Sequence, residues 1–168
     1  QQIPESDDHK HLGLIFSKDL RFHSHVNDTM LKVNRALSPL YSLAKYLPRE
    51  VLVGIYTTYI QPHFDYCDII FDKQLTLYDS QRLQTLQSRA ARLVTGLPFR
   101  TPTKKLLQEA GWYSLTIRRD IHRLCMYHKL IYADNRLPDY ITQALPHTRQ
   151  QDTNRSLRHA TTRSLPPN

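Results

Sequence analysis

A mainly α-helical fold, preceded by one short β segment, is what the sequence predicts. Two observations carry that prediction. From about residue 24 to residue 131 apolar residues recur at alternating steps of four and three, the spacing that lays one stripe along a helix. The stretch that departs from this rhythm is His11-Leu12-Gly13-Leu14-Ile15-Phe16, rich in β-branched and aromatic residues. At 168 residues the chain is long enough for one real core and too short for two full domains.

Residues 1–10 are polar and read as a disordered or incomplete start. The run 11–16 is too short for a helix and reads as a strand leading into the turn Ser17-Lys18-Asp19-Leu20. A lone strand is unstable in water and no partner strand is evident, so it is expected to lack its sheet. Together with the missing initiator Met, this suggests a piece of something longer. Val26, Met30, Val33, Leu37, Leu40, Ala44 and Leu47 form the stripe of a first long helix, with Pro39 expected to kink or break it. Pro48 starts a second helix with Val51, Leu52, Ile55, Tyr56, Tyr59 and Ile60 on its apolar face. Pro62 should end or kink it, and Phe64, Cys67, Ile70 and Phe71 continue the spacing. A third long helix runs from about Thr76 or Asp79 to Gly96, with Leu83, Leu86, Ala90, Leu93 and Val94 inward. Thr101-Pro102 opens a shorter helix that Gly111 stops. Ser114 is the N-cap of a last long helix whose expected inner face is Ile117, Ile121, Leu124, Cys125, His128 and Ile131. Residues 137–141 look like a tethered turn, and the chain beyond Pro146 is polar, basic and expected to be flexible.

Composition narrows the function. Cys67 and Cys125 are too few for a disulfide scaffold or a cysteine-based zinc site, and read as small core residues. A mean hydropathy of −0.54, with no apolar run of the ~18 residues a span needs, excludes a transmembrane helix. These features suggest a soluble intracellular piece. The net charge is +8, and it is uneven: residues 82–168 carry 15 Lys/Arg against 5 Asp/Glu. A basic half beside a nearly neutral one suits a polyanion partner, because cations that neutralise phosphates release counterions.

Several groups could carry chemistry. Asp7-Asp8 resembles a metal-binding pair but sits in a polar stretch near Pro4, so a solvated acidic terminus is the simpler reading. Asp65, Asp68 and Asp72 share one helix face, with no nearby His or Glu to complete a ligand set, and read as that helix's wet side. His9, His11, His23 and His25 form two His-x-His pairs suited to zinc or copper, without other support for a metal. No phosphate loop or nucleophile elbow is present. The basic residues Arg82, Arg89, Arg92, Arg100, Lys104, Lys105, Arg118, Arg119 and Arg123 would line one groove facing a phosphate backbone if their helices packed together. The alternative is three separate solvated faces.

The order of short motifs resembles the reverse transcriptases of LINE-type (non-LTR, jockey-like) retrotransposons. His11-Leu12-Gly13-Leu14 is similar to that family's "YLG-V" segment, and Phe22-His23-Ser24-His25-Val26 to its "W-x-x-H-I" helix start. Leu47-Pro48-Arg49-Glu50, Ile55-Tyr56 and Ile60-Gln61-Pro62 resemble "LP-E…LY…I-P"; Tyr66 and Asp68–Phe71 fall where "Y-(G/A)-…V-W" is usual. Leu83, Gln87–Arg92 and Gly96 resemble "L-x-x-x-Q-x-R-A-A-R…G", and Gly111-Trp112-Tyr113-Ser114-Leu115 through Arg118-Arg119 resembles "G-W-x-S-L-x-x-R-R". His11, Phe71 and Pro39 depart from the pattern.

This resemblance implies a primer-grip β segment at residues 1–22 lacking its palm sheet, a thumb-like helical bundle at 23–96, post-thumb helices at 97–145 and a basic tail at 146–168. The implied job is to grip a primer–template duplex, RNA–DNA or DNA, without reading sequence, through His11, Leu12, Gly13 and the basic residues from Arg82 to Arg119. The family's catalytic "(Y/F)-x-D-D" motif does not occur in the sequence, so the chain alone is expected to be inactive and to bind no cofactor. Mg²⁺ is expected only for the parent polymerase, whose palm and fingers would be partners; nuclear action follows only from the family. The alternative expectation is a stand-alone helical protein-interaction domain derived from a retroelement.

Overall fold

The structure, a computed structural model, describes residues 6–132 and 138–144. It is mainly helical, with a two-stranded hairpin ahead of the helices. Strands β1 (Asp8–His11) and β2 (Leu14–Ser17) pair antiparallel, with Asp8 opposite Ser17 and His11 opposite Leu14. The strand expected to stand alone therefore pairs with residues read as unstructured. Leu12 and Gly13 make the two-residue turn, both at positive φ (47° and 86°), as the twist of a tight hairpin requires. Leu14 points inward and packs with Phe22 and Phe71, with Phe16 and Cys67 against them. The Tyr66 hydroxyl donates to the Leu12 carbonyl and ties the turn to the helices.

Helix α1 (His23–Leu43) buries Val26, Val33, Ala36, Leu37 and Leu40. Pro39 lies inside it without breaking it. Proline removes the N–H that would bond the Arg35 carbonyl, but both residues lie on the exposed side, where water can satisfy that oxygen. The next segment is one run in three parts: α2 (Arg49–Ile55), a π-helical turn (Tyr56–Ile60) and α3 (Gln61–Asp65). Its buried residues are Leu52, Tyr56, Ile60 and Phe64, four apart. At 3.6 residues per turn such a row drifts about 40° per step, and the wider π turn compensates. That turn also sits directly before Pro62, which has no N–H for the preceding turn. Val51 and Tyr59, expected inside, are 43% and 61% exposed.

Helical continuity from His63 to Phe71 fails at Tyr66, which is extended, and Cys67, at φ 57°. A short helix, α4 (Asp68–Phe71), and a 3-10 turn follow. Phe64 and Phe71 are buried as expected, whereas Ile70 is exposed. In α5 (Leu77–Thr95) the Thr76 hydroxyl accepts the Asp79 N–H at 3.1 Å, and Gly96, at φ 66°, ends the helix. Leu83, Leu86 and Ala90 complete the core begun by α1 and the π turn. Helix α6 (Thr103–Ala110) packs Leu106 and Leu107 against Ala91.

Helix α7 (Leu115–Tyr132) opens with Leu115 in the main core. The chain divides into two compact units after Leu124. Residues 97–124 thus share a unit with the 23–96 helices. The second unit holds the end of α7, where His128 and Tyr132 rings lie 4.4 Å apart, and α8 (Asp139–Ala144). Where a tethered turn was expected, the Ile141 N–H donates to the Pro138 carbonyl at 2.9 Å and α8 begins. The basic tail at 146–168 lies outside the described residues. No helix among the described residues is long and apolar enough to cross a membrane.

Candidate nucleic-acid interface

The basic residues do not line one groove. The structure sorts them by whether an acid already holds them. Arg82 donates to Asp79 (3.1 Å) and Asn27 (2.9 Å) and lies over the Tyr78 ring, so it staples α5 to α1. Asp79, fully buried, also pairs with His23.

Helix α7 overturns the expected inner face. Ile117, Ile121, Leu124, Cys125 and His128 are exposed, and Leu115 and Arg119 are the buried residues. The inward face is cationic because α3, α4 and the 3-10 turn after it present Asp65, Asp68 and Asp72 to it. Arg118 grips Asp65 through Nε (3.1 Å) and Nη2 (2.6 Å). Asp68 lies 2.6 Å from His122 Nδ1. Asp72 receives Arg119 at 3.4 Å and Arg123. Periodicity in apolar residues cannot find a charged interface, but three acids at steps of three and four here match a second cationic row of helical spacing. The acidic stripe read as a wet face is this interface, and Asp68 is only 2% exposed.

Burial sets the electrostatics of this seam. It raises the Asp68 carboxyl above its ordinary range, with the His122 hydrogen bond pulling the other way. It lowers the Arg119 guanidinium against the opposing pull of Asp72. The hydrogen bond that Arg118 donates to Asp65 raises the Arg118 guanidinium. Asp65, Asp68 and His122 bring three possible ligand atoms within 4.8 Å of one another, His122 supplying the imidazole that the local sequence lacked. Yet a metal would have to displace Arg118 from both oxygens of Asp65, so the group is a charge-paired seam. Arg118 and Arg119 are accordingly corrected from duplex-facing to structural residues: their guanidinium groups serve the fold.

The four early histidines do not converge either. His9 and His11 stack on the hairpin with ring centres 6.5 Å apart, His23 pairs with Asp79, and His25 is buried edge-on to Phe71 with ring centres 4.9 Å apart. Cys125 is exposed, contrary to a core role, whereas Cys67 packs beside Phe71. At the hairpin tip His11 and Leu12 are exposed, Leu12 at 79%, and Gly13 lies against the Tyr66 ring.

A second set of cations remains on α5, α6 and the turn between them. Arg89, Arg100, Lys104 and Lys105 are exposed and form no ion pair among the described residues; Arg92, half-buried, forms none either. Arg89 and Arg92 share a shallow depression of about 350 Å³ with Tyr41, Leu93 and Phe99. Arg92 lies over the Phe99 ring, 5.1 Å from its centre. Tyr41 and Phe99 went unnoticed in the sequence; the available signal was an aromatic next to Arg100 in a Pro-containing turn.

The remaining motif residues hold the framework. Gln87, fully buried, donates to the Tyr113 carbonyl (2.9 Å) and to the Tyr56 hydroxyl (3.4 Å). Tyr56 stacks on Trp112 with ring centres 3.7 Å apart, and its burial pushes the phenol up to about 12. Comparison with protein-family models, with curated proteins and with solved structures finds no match.

Proposed function

We propose that the chain is the duplex-gripping, non-catalytic helical part of an RNA-directed DNA polymerase of the LINE type, the reading to which its motif order points. One observation supports the gripping role above the others: among the described residues Arg89, Arg92, Arg100, Lys104 and Lys105, on α5, α6 and their connecting turn, lack acidic partners, while Arg118, Arg119 and Arg123 of α7 are paired with Asp65 and Asp72. Uncompensated cations on one pair of packed helices suit a phosphate backbone and carry no sequence information. The hairpin tip at Leu12 and Gly13 would approach the same duplex.

The test is binding of the full chain to a blunt RNA–DNA hybrid across a salt series. Contacts by Arg100, Lys104 and Lys105, the cations outside the Phe99 depression, give a blunt hybrid a slope of log affinity on log salt of roughly −3. Replacing Lys104 by Gln should weaken binding equally for unrelated sequences and reduce that slope by about 1. A flat salt response would refute the proposal.

A second reading has one observation in its favour. Ile117, Ile121 and Leu124 leave an apolar stripe on the outer side of α7, 48%, 40% and 67% exposed. Such a face suits a protein partner, as in a stand-alone interaction domain. Loss of self-association or of partner binding in Ile121→Glu, with hybrid binding intact, would support it.

A further inference from the structure

The depression between α1 and α5 has a composition that a duplex alone does not explain. Tyr41 comes from the end of α1, Arg89, Arg92 and Leu93 from the end of α5, and Phe99 from the turn beyond. The two aromatic rings are left open, Tyr41 at 54% and Phe99 at 85% exposure. None of the five lining side chains is acidic. Arg92 is held by the Phe99 ring and not by a carboxylate, and its buried Nε–H has no acceptor. Leu93 supplies an apolar floor, with part of its side chain in the main core.

Within a duplex the flat faces of the bases are hidden in the stack, and only phosphates and groove edges are offered. Exposed rings beside free guanidinium groups instead match an unpaired nucleotide: the base stacks on an aromatic or guanidinium plane and its phosphate meets the cations. We propose that Tyr41, Arg89, Arg92 and Phe99 form a site for an unpaired nucleotide of a single strand that continues beyond the gripped duplex. Phe99 is the stacking platform, steadied by Arg92; Arg89 takes the phosphate; Tyr41 bounds the opposite side. The site deepens the duplex-gripping reading and rests on it for the source of the strand.

The experiment compares the full chain's affinity for a blunt RNA–DNA hybrid, for the same hybrid with a short single-stranded DNA or RNA extension, and for the extension alone. Phe99→Ala and Phe99→Trp are the variants; at 85% exposure Phe99 contributes little to the core. An extension of either sugar should raise affinity about tenfold, in the range that stacking of one base supplies. Phe99→Ala should abolish that gain without changing affinity for the blunt hybrid, and Phe99→Trp should keep it. An equal affinity for blunt and extended hybrids would overturn the proposal, as would a gain that survives in Phe99→Ala. Binding of the extension alone in a Phe99-dependent manner, with no affinity for the blunt hybrid, would keep the nucleotide site and refute the duplex grip. No binding to any of the three would refute both.

Discussion

Arg118 closes on both carboxylate oxygens of Asp65, 53 positions earlier in the chain, at 3.1 and 2.6 Å. With His122 on Asp68, and Arg119 and Arg123 on Asp72, this pair makes a charged seam where an apolar one was expected. A charged seam depends on every partner being present, because a guanidinium left buried alone loses water without compensation.

Asp72 is the most exacting member, since two guanidinium groups converge on it and Arg119 is 2% exposed. Replacing Asp72 by Ala should lower stability by about 3–5 kcal/mol, the range for breaking a buried pair. Replacing Asp120, whose partnership with Arg123 lies at the surface, should cost no more than about 1 kcal/mol. Urea unfolding of the two variants measures the difference, and equal effects would mean the seam is not buried as described.

Gln87 joins three separated segments through one amide. Gln87→Leu keeps the size but leaves the Tyr113 carbonyl and the Tyr56 hydroxyl without their donor, a loss of about 1–3 kcal/mol where the group is buried. Because Tyr56 stacks on Trp112, the near-UV dichroism of that tryptophan should change as well. An unaltered spectrum with unaltered stability would argue against the bridge.

Acid should destabilise the protein through two imidazoles. Burial lowers His25 and His63 below their ordinary value of 6.5, with Lys32 acting in the same direction and Asp28 opposing it. The unfolded chain then binds more protons than the folded one, so stability present above 6.5 declines as the pH falls through that value toward the folded pKa. His25→Phe, which keeps a ring against Phe71, should flatten the decline. The readout is the dependence of urea-unfolding free energy on pH, and an unchanged slope would remove His25 from the account.

The hairpin turn carries a local conflict. Leu12 occupies the left-handed region at φ 47°, which disfavours side chains other than Asn, Asp and Gly by roughly 1–2 kcal/mol. Leu12→Asn should therefore stabilise the hairpin by about 1 kcal/mol and slow amide exchange in β1 and β2. Faster exchange would show that Leu12 makes a favourable contact that outweighs its backbone.

Much of the helical framework was readable from local chemistry. The stripe from Val26 to Leu40, the helix start near Thr76, the stops at Gly96 and Gly111 and the cap at Ser114 each depend on residues within a turn or two of one another. Tertiary structure decided the rest. Pro39 is tolerated because its missing hydrogen bond faces solvent, and the π turn before Pro62 is set by the row from Leu52 to Phe64 that must face one core. The inward side of α7 was fixed by acids on α3, α4 and the turn after it, and which cations are paired is set by packing that the sequence does not display. Charge partners more than 45 residues apart leave no local signature. Burial turns them into structure, because an ionised group taken out of water needs its counter-ion in contact.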